Sequence, residues 1–239
     1  MQHVSRYCRQ HNPESTILTV TFTIYNLIVS FAPTDVIASD GKTKLRRTPK
    51  LMICVCKTPN ILNIDWLEQS AKEQCVLETN DFLLLNDTEA EKTYNFSMKA
   101  TLENGKLART TSGGVLGGCF VYICRSVAGK NAPSSKELAL LIDATGATLL
   151  QSLLDVDNPP APNKTILITS DPTTKEQRSE KGVEDWMRRG AKLCTTTWLF
   201  HTIITQKLCV NGEAESTQST TGNEKCKNSG SSRKSSRKR

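Results

Sequence analysis

No glycine occurs before Gly41, no two cysteines form a C-x-x-C pair, and the 239 residues include only three histidines, His3, His11 and His201. Histidines remote from any cysteine cluster, with no paired cysteines, argue against a zinc site. The nine cysteines are an odd number; Cys54 and Cys56 fall in an apolar helical stretch, and Cys119 and Cys124 bracket a strand. Most read as small buried hydrophobes in a reducing compartment, cytosolic or nuclear. No basic segment followed by a small-residue cleavage site opens the chain, so no secretory signal is expected. The uncharged stretch 17–32 is sixteen residues long and is diluted by Thr19, Thr21, Thr23, Asn26 and Ser30. A membrane span needs roughly 20 apolar residues, so buried strands are expected there and no membrane partner.

Catalytic groups are missing in the same way. No nucleophile stands beside a plausible histidine base and no carboxylate cluster suggests a metal, so neither an enzyme nor a bound cofactor is expected. The run Gly113-Gly114-Val115-Leu116-Gly117-Gly118 has the glycines of a phosphate loop. It lacks the Gly-Lys-Ser/Thr that follows in such loops and precedes a strand where they precede a helix.

The length suits one large domain or two of about 100 residues, each able to bury a core. Hydrophobic residues make up 37% and aromatics 5%, which leaves part of the chain unpacked. Residues 211–239 fit that part: Ser, Thr, Gly, Asn and charge replace almost every apolar residue, as in a disordered tail. Seven Lys/Arg against three Asp/Glu place four of the chain's seven net positive charges there. The remainder is nearly balanced, unlike a general nucleic-acid binder, so no direct sequence-specific nucleic-acid contact is expected. The terminal run Arg233-Lys234-Ser235-Ser236-Arg237-Lys238-Arg239 reads as a nuclear-import patch, a weak polyanion contact or a solubilising tail.

Two segments match when their tryptophans are superposed, residues 59–70 around Trp66 and 191–202 around Trp198. Each reads as a short strand entering a helix through a candidate N-cap, Asp65 or Thr197, with the tryptophan packed on its sheet. Upstream of Trp198 the order is regular. A strand over 119–124 precedes a helix from Ser134 with a Ser-x-x-Glu capping box and a closing Gly146. Then come a strand over 147–150, a Pro-rich loop over 157–163, a buried strand over 165–169, a charged helix over 175–189, a strand over 192–195 and a helix over 197–207. Such alternation predicts an α/β fold with a mostly parallel sheet and helices on both faces. The first unit matches from its third strand onward: a strand over 36–39, a helix from Pro49 to about Lys57, a strand over 61–64 and a helix over 65–74. Between the units, 89–98 predicts a short helix packed across both.

One block stands out chemically. Residues 45–50, Leu45-Arg46-Arg47-Thr48-Pro49-Lys50, place cations around a helix start, with Thr48 as N-cap and Pro49 at the first helical position. Lys50 lies in the first turn, where unpaired N–H groups already make the helix end positive. A phosphate would relieve the conflict. The plainer reading is that Arg46, Arg47 and Lys50 face water or pair with nearby carboxylates.

These residues carry a resemblance to tandem BRCT repeats of the DNA-damage mediator class. The block Arg46-Arg47-Thr48-Pro49-Lys50 is similar to the family's R-R-T-x-K, and residues 64–70, with Asp65-Trp66-Leu67, follow it. Residues 89–97, from Glu89 to Ser97, resemble the family's inter-repeat E-x-E-K-N-F-x-F-S segment. The resemblance runs from about Thr34 to Val210 and is weaker in the second unit, where it rests on element order. It implies an α/β chain of two BRCT-like units packed in tandem, each a small, mostly parallel four-stranded sheet flanked by helices. The units are repeat 1 over 17–78, a linker over 79–116, repeat 2 over 117–210 and a basic tail over 211–239. It also implies a nuclear, non-enzymatic scaffold of DNA repair on chromatin. The partners expected are DNA-damage-response proteins and a phosphorylated protein or histone-tail peptide. Lys50 matches the phosphate-binding lysine, Thr48 the hydroxyl residue of that block, and Arg47 the arginine that holds the peptide main chain or its C-terminal carboxylate. The family also supplies a Ser/Thr-Gly pair at the end of its first strand. This chain has none there; Thr21 and Thr23 are the nearest hydroxyls, and Ile24 follows Thr23. The alternative the resemblance leaves is a phosphate-independent BRCT assembly module.

Overall fold

The computed structural model describes residues 35–39, 44–127, 132–154 and 160–208. The readings placed on 17–32, on Thr21, Thr23 and Ile24, on the first three residues of the Pro-rich loop and on the tail 211–239 lie outside the described residues.

The first unit begins with β1 (Asp35–Ser39), followed by α1 (Pro49–Lys57), β2 (Asn60–Asn63) and α2 (Asp65–Lys72). The two strands run parallel, Val36 opposite Ile61 and Ile37 opposite Leu62. Trp66 is buried at the start of α2 and donates its indole N–H to the Leu77 carbonyl at 2.9 Å, closing the turn that leaves the unit. Asp65 is not the cap expected from the sequence. Ile64 holds the N-cap position in a helical conformation without a side-chain bond, and Asp65 is the first helical residue, where its charge still favours the positive end.

The linker carries more helix than expected. A 3₁₀ turn (Asn80–Phe82) leads to α3 (Thr88–Tyr94) and then α4 (Met98–Ser112), fifteen residues long. Asn95, left-handed at φ 51°, ends α3, and Ser97 caps α4. It is α4, overlooked in the sequence for want of a clear apolar stripe, that spans the units. Its Asn104 donates to the Thr205 carbonyl at 3.0 Å and its Arg109 to the carbonyls of Val55 and Cys56 at 3.2 and 3.4 Å. The guanidinium thus closes the C-terminal end of α1, where unpaired carbonyls are negative.

The second unit follows the expected order: β3 (Phe120–Ile123), α5 (Ser135–Ala144), β4 (Thr148–Leu150), β5 (Thr165–Thr169), α6 (Lys175–Arg178), α7 (Val183–Arg188), β6 (Lys192–Thr195) and α8 (Thr196–Thr205). Its four strands are all parallel, in the order β4-β3-β5-β6. Ser134 and Glu137 form the capping box at the head of α5. The single charged helix expected over 175–189 is two, because Gly182 at φ 96° reverses the chain between them. The cap of α8 is Thr195, whose hydroxyl accepts the Trp198 N–H at 3.3 Å, two residues before the expected Thr197.

All of β5 is buried, and alternate residues serve different cores. Ile166 and Ile168 join a cluster that runs through Trp198, Leu199 and Ile203 of α8, Leu138, Leu141 and Ile142 of α5, and on into Met52, Val55 and Cys56 of α1. Leu167 faces the other way, onto Val183 and Trp186. Helices therefore cover both faces of this sheet, and one apolar core is shared between the units. Of the four cysteines singled out in the sequence, Cys56 and Cys124 are buried and Cys54 and Cys119 half-buried; Cys75 and Cys194 are buried too, and burial pushes Cys56 up to about 11. No helix among the described residues is long and apolar enough to cross a membrane.

The glycine run is a packing device. A Cβ on Gly114, at φ 149°, would lie 2.2 Å from the Thr145 carbonyl oxygen, and one on Gly117 would lie 1.8 Å from that of Ser112. Gly114→Ala should therefore destabilise the fold by about 2 kcal/mol or more, read as a lower urea midpoint. Burial and a hydroxyl bond to Glu180 (2.6 Å) push the Tyr122 phenol up to about 12 from 10. The unfolded chain loses this proton first, so the Tyr122 contribution is intact below pH 10 and declines as pH rises toward 12. Tyr122→Phe should show a shallower loss of stability across that window in pH-dependent denaturation.

Candidate functional site

The chain enters α1 through an extended loop fixed at three points. Leu45 is buried in the shared core, and its backbone N–H donates to Asp87 Oδ2 at 2.7 Å. The other carboxylate oxygen of Asp87 accepts the Ala90 N–H at 2.9 Å and caps α3. One carboxylate thus starts the linker helix and holds the loop. Two residues on, the Arg47 guanidinium lies over the Tyr94 ring, 4.2 Å from its centroid, at the far end of α3. Burial lowers the Arg47 pKa, an effect partly offset by Tyr94. Arg47 is therefore half-buried and stacked on the linker helix, and is not simply surrounded by water.

Thr48 is the N-cap of α1 and Pro49 its first helical residue, as the sequence indicates. The donors at this end can be counted. Thr48 N–H is bonded to the Arg46 carbonyl at 2.8 Å, Pro49 has none, and Leu51 N–H goes to Thr48 Oγ1 at 3.3 Å. Met52 N–H reaches the Thr48 carbonyl at 3.0 Å. Among the described residues, what remains is the Lys50 N–H, on the residue that also carries the exposed ammonium. The first turn holds no acidic side chain, and among the described residues Lys50 forms no ion pair. Because Thr48 Oγ1 serves the helix as an acceptor, its hydroxyl proton stays available to an incoming anion. The three residues singled out in the sequence thus lie together on one loop and helix start, two of them offering donors to solvent.

The corresponding corner of the second unit is arranged otherwise. Thr174 caps α6 much as Thr48 caps α1. There, however, Glu180 accepts from the Arg125 N–H at 2.9 Å and from the Tyr122 hydroxyl, with the Arg125 side chain at 3.6 Å. Gln177, buried, bonds Ser170 and the Arg125 carbonyl. The end of β3 is already supplied with an internal anion.

Sequence reading missed Asp87 and Tyr94. The Asp-x-x-Ala spacing of 87–90 signals a helix cap, but nothing local in it announces a bond to Leu45, 42 residues earlier.

No family model matches the chain. Over 110 residues, 46% of its length, it is 29% identical to Mediator of DNA damage checkpoint protein 1 of Macaca mulatta and 30% identical to that of Rattus norvegicus. These matches span only 5% and 8% of the relatives' own length. Among solved structures, the BRCT5-BRCT6 domains of S. pombe Brc1 align with a TM-score of 0.54 over 70% of this chain and 77% of that one, at 18% identity. The fold is that of a tandem BRCT pair, as expected from the sequence.

Asp87→Ala should remove both the α3 cap and the partner of Leu45 N–H, a loss of about 2 kcal/mol in chemical denaturation. Hydrogen exchange at the Leu45 amide should accelerate more than exchange in α5, where no Asp87 bond is lost.

Proposed function

From the tandem BRCT fold as premise, we propose that the chain is a phosphoserine-peptide-binding scaffold module of the DNA-damage response, acting in the nucleus and without catalysis. The observation that carries this reading is the helix start of α1. Among the described residues, the Lys50 N–H and ammonium and the Thr48 hydroxyl proton are left without a partner, and the first turn of α1 holds no acidic side chain. A phosphoserine brings a charge of about −1.5 to −2 and three strong acceptors, which fits that set of donors. Arg47, beside it, is suited to a peptide's main chain or terminal carboxylate, which favours a phosphorylated tail, such as a histone C-terminus, that ends shortly after the phosphoserine. The names of the checkpoint mediators similar in sequence point to the same biology. Part of the same proposal is the division into repeat 1 over 17–78, a linker over 79–116, repeat 2 over 117–210 and a basic tail over 211–239. A phosphate-independent assembly module is the second reading, favoured by the missing Ser/Thr-Gly pair before Gly41.

Fluorescence anisotropy with a Ser-Gln-Glu-Tyr peptide, phosphorylated or not on serine, separates the two. The expected result is tighter binding of the phosphorylated form, with Lys50→Met reducing the preference at least about tenfold, the scale of a lost charge-assisted bond. Equal affinity of the wild-type chain for both forms would leave the assembly reading.

A further inference from the structure

We infer that Tyr94 is a positioning residue for Arg47, so that specificity for the end of the bound peptide is set from the linker and not from the first unit alone. The inference rests on the phosphopeptide reading for its ligand and on the geometry for its mechanism.

Arg47 emerges from an extended loop, and nothing in that loop fixes an arginine with several rotatable bonds. Tyr94 supplies the missing restraint. Its ring lies 4.2 Å from the guanidinium carbon, and both side chains are half-buried. The spacing is set by one helix. Asp87 at the head of α3 holds Leu45 by the backbone, and seven residues later Tyr94, at the last position of α3, meets Arg47, two residues beyond Leu45. The loop and the helix are thus pinned at two matched points, and the arginine is ordered before any ligand arrives. Stacking engages the face of the guanidinium, whereas a carboxylate is bound in its plane through the N–H edge, so the two contacts are compatible. Ordering cost is removed from binding, and the charge is aimed.

The test uses the full chain and Ser-Gln-Glu-Tyr peptides in four forms: phosphorylated or not, and with a free or an amidated C-terminus. In the wild type the free acid should bind more tightly than the amide. Tyr94→Leu, which keeps apolar bulk but removes the ring, should shrink that ratio about two- to tenfold, the scale of a partly desolvated cation–π contact. Tyr94→Phe, which keeps the ring but removes the hydroxyl that also bonds the guanidinium, should retain most of the ratio, and the phosphate preference set at Lys50 should survive in both variants. A side chain that only supported the fold would not move the acid-to-amide ratio while sparing the phosphate ratio. A wild type indifferent to amidation, or an unchanged ratio in Tyr94→Leu, overturns the inference. Indifference to phosphate sinks the proposed function instead. A ligand-free measurement covers the case in which Tyr94→Leu does not fold. In wild-type NMR spectra the ring current of Tyr94 should move the Arg47 Cδ protons upfield, and unshifted protons there would also overturn it.

Discussion

Helix α1 is held along its whole length by groups from elsewhere in the chain. Met52, Val55 and Cys56 enter the apolar core shared with α5 and α8, Arg109 of α4 closes its C-terminal carbonyls, and Gln206 donates to the Cys56 sulfur at 3.4 Å. Those contacts fix where its N-terminus points, and with it Thr48 and Lys50. Burial contributes most of the holding force. Several aliphatic side chains removed from water outweigh the exposed ion pair Lys57–Asp143 at the same interface, a class of contact that contributes at most about 1 kcal/mol.

From β1 in the first unit and β5 in the second, the described elements follow the same order, and the two units reach opposite electrostatic solutions at the helix start that follows. In the second, Glu180 accepts from a backbone amide, a tyrosine hydroxyl and, at longer range, an arginine. In the first, the cations and the free N–H of α1 meet no such carboxylate among the described residues, and Asp87 spends both oxygens on Leu45 and Ala90. A buried donor set completed from within is stable and silent, whereas one left open to solvent is available to a ligand.

Much of this was legible in the chain itself. Strong local signals carried the second unit: the Ser134 capping box, the β-branched run of β5 and the closing Gly146 each specify one conformation. The helix start at Thr48-Pro49 was equally plain, and with it Lys50. What could not be read depends on long-range partners. The linker helix α4 has a weak apolar stripe because its interface side is partly polar, with Thr101, Asn104 and Arg109 bonding carbonyls of other helices. Propensity at Asp65 and Thr197 was overridden by small shifts of register, which move a cap by one or two residues without changing the fold. Tyr94 was visible as an aromatic in a polar segment, but its role depends on a partner 47 positions earlier.

The closing of the α1 C-terminus by Arg109 bears on how the module can be handled as a part. The cap comes from the linker and the apolar floor from the second unit, so an excised first unit would carry an uncapped helix end and a bare hydrophobic face. Grafting the Arg-Arg-Thr-Pro-Lys segment alone onto another scaffold would move the letters and leave behind the frame that gives them direction. The transplantable piece is the whole pair with its linker.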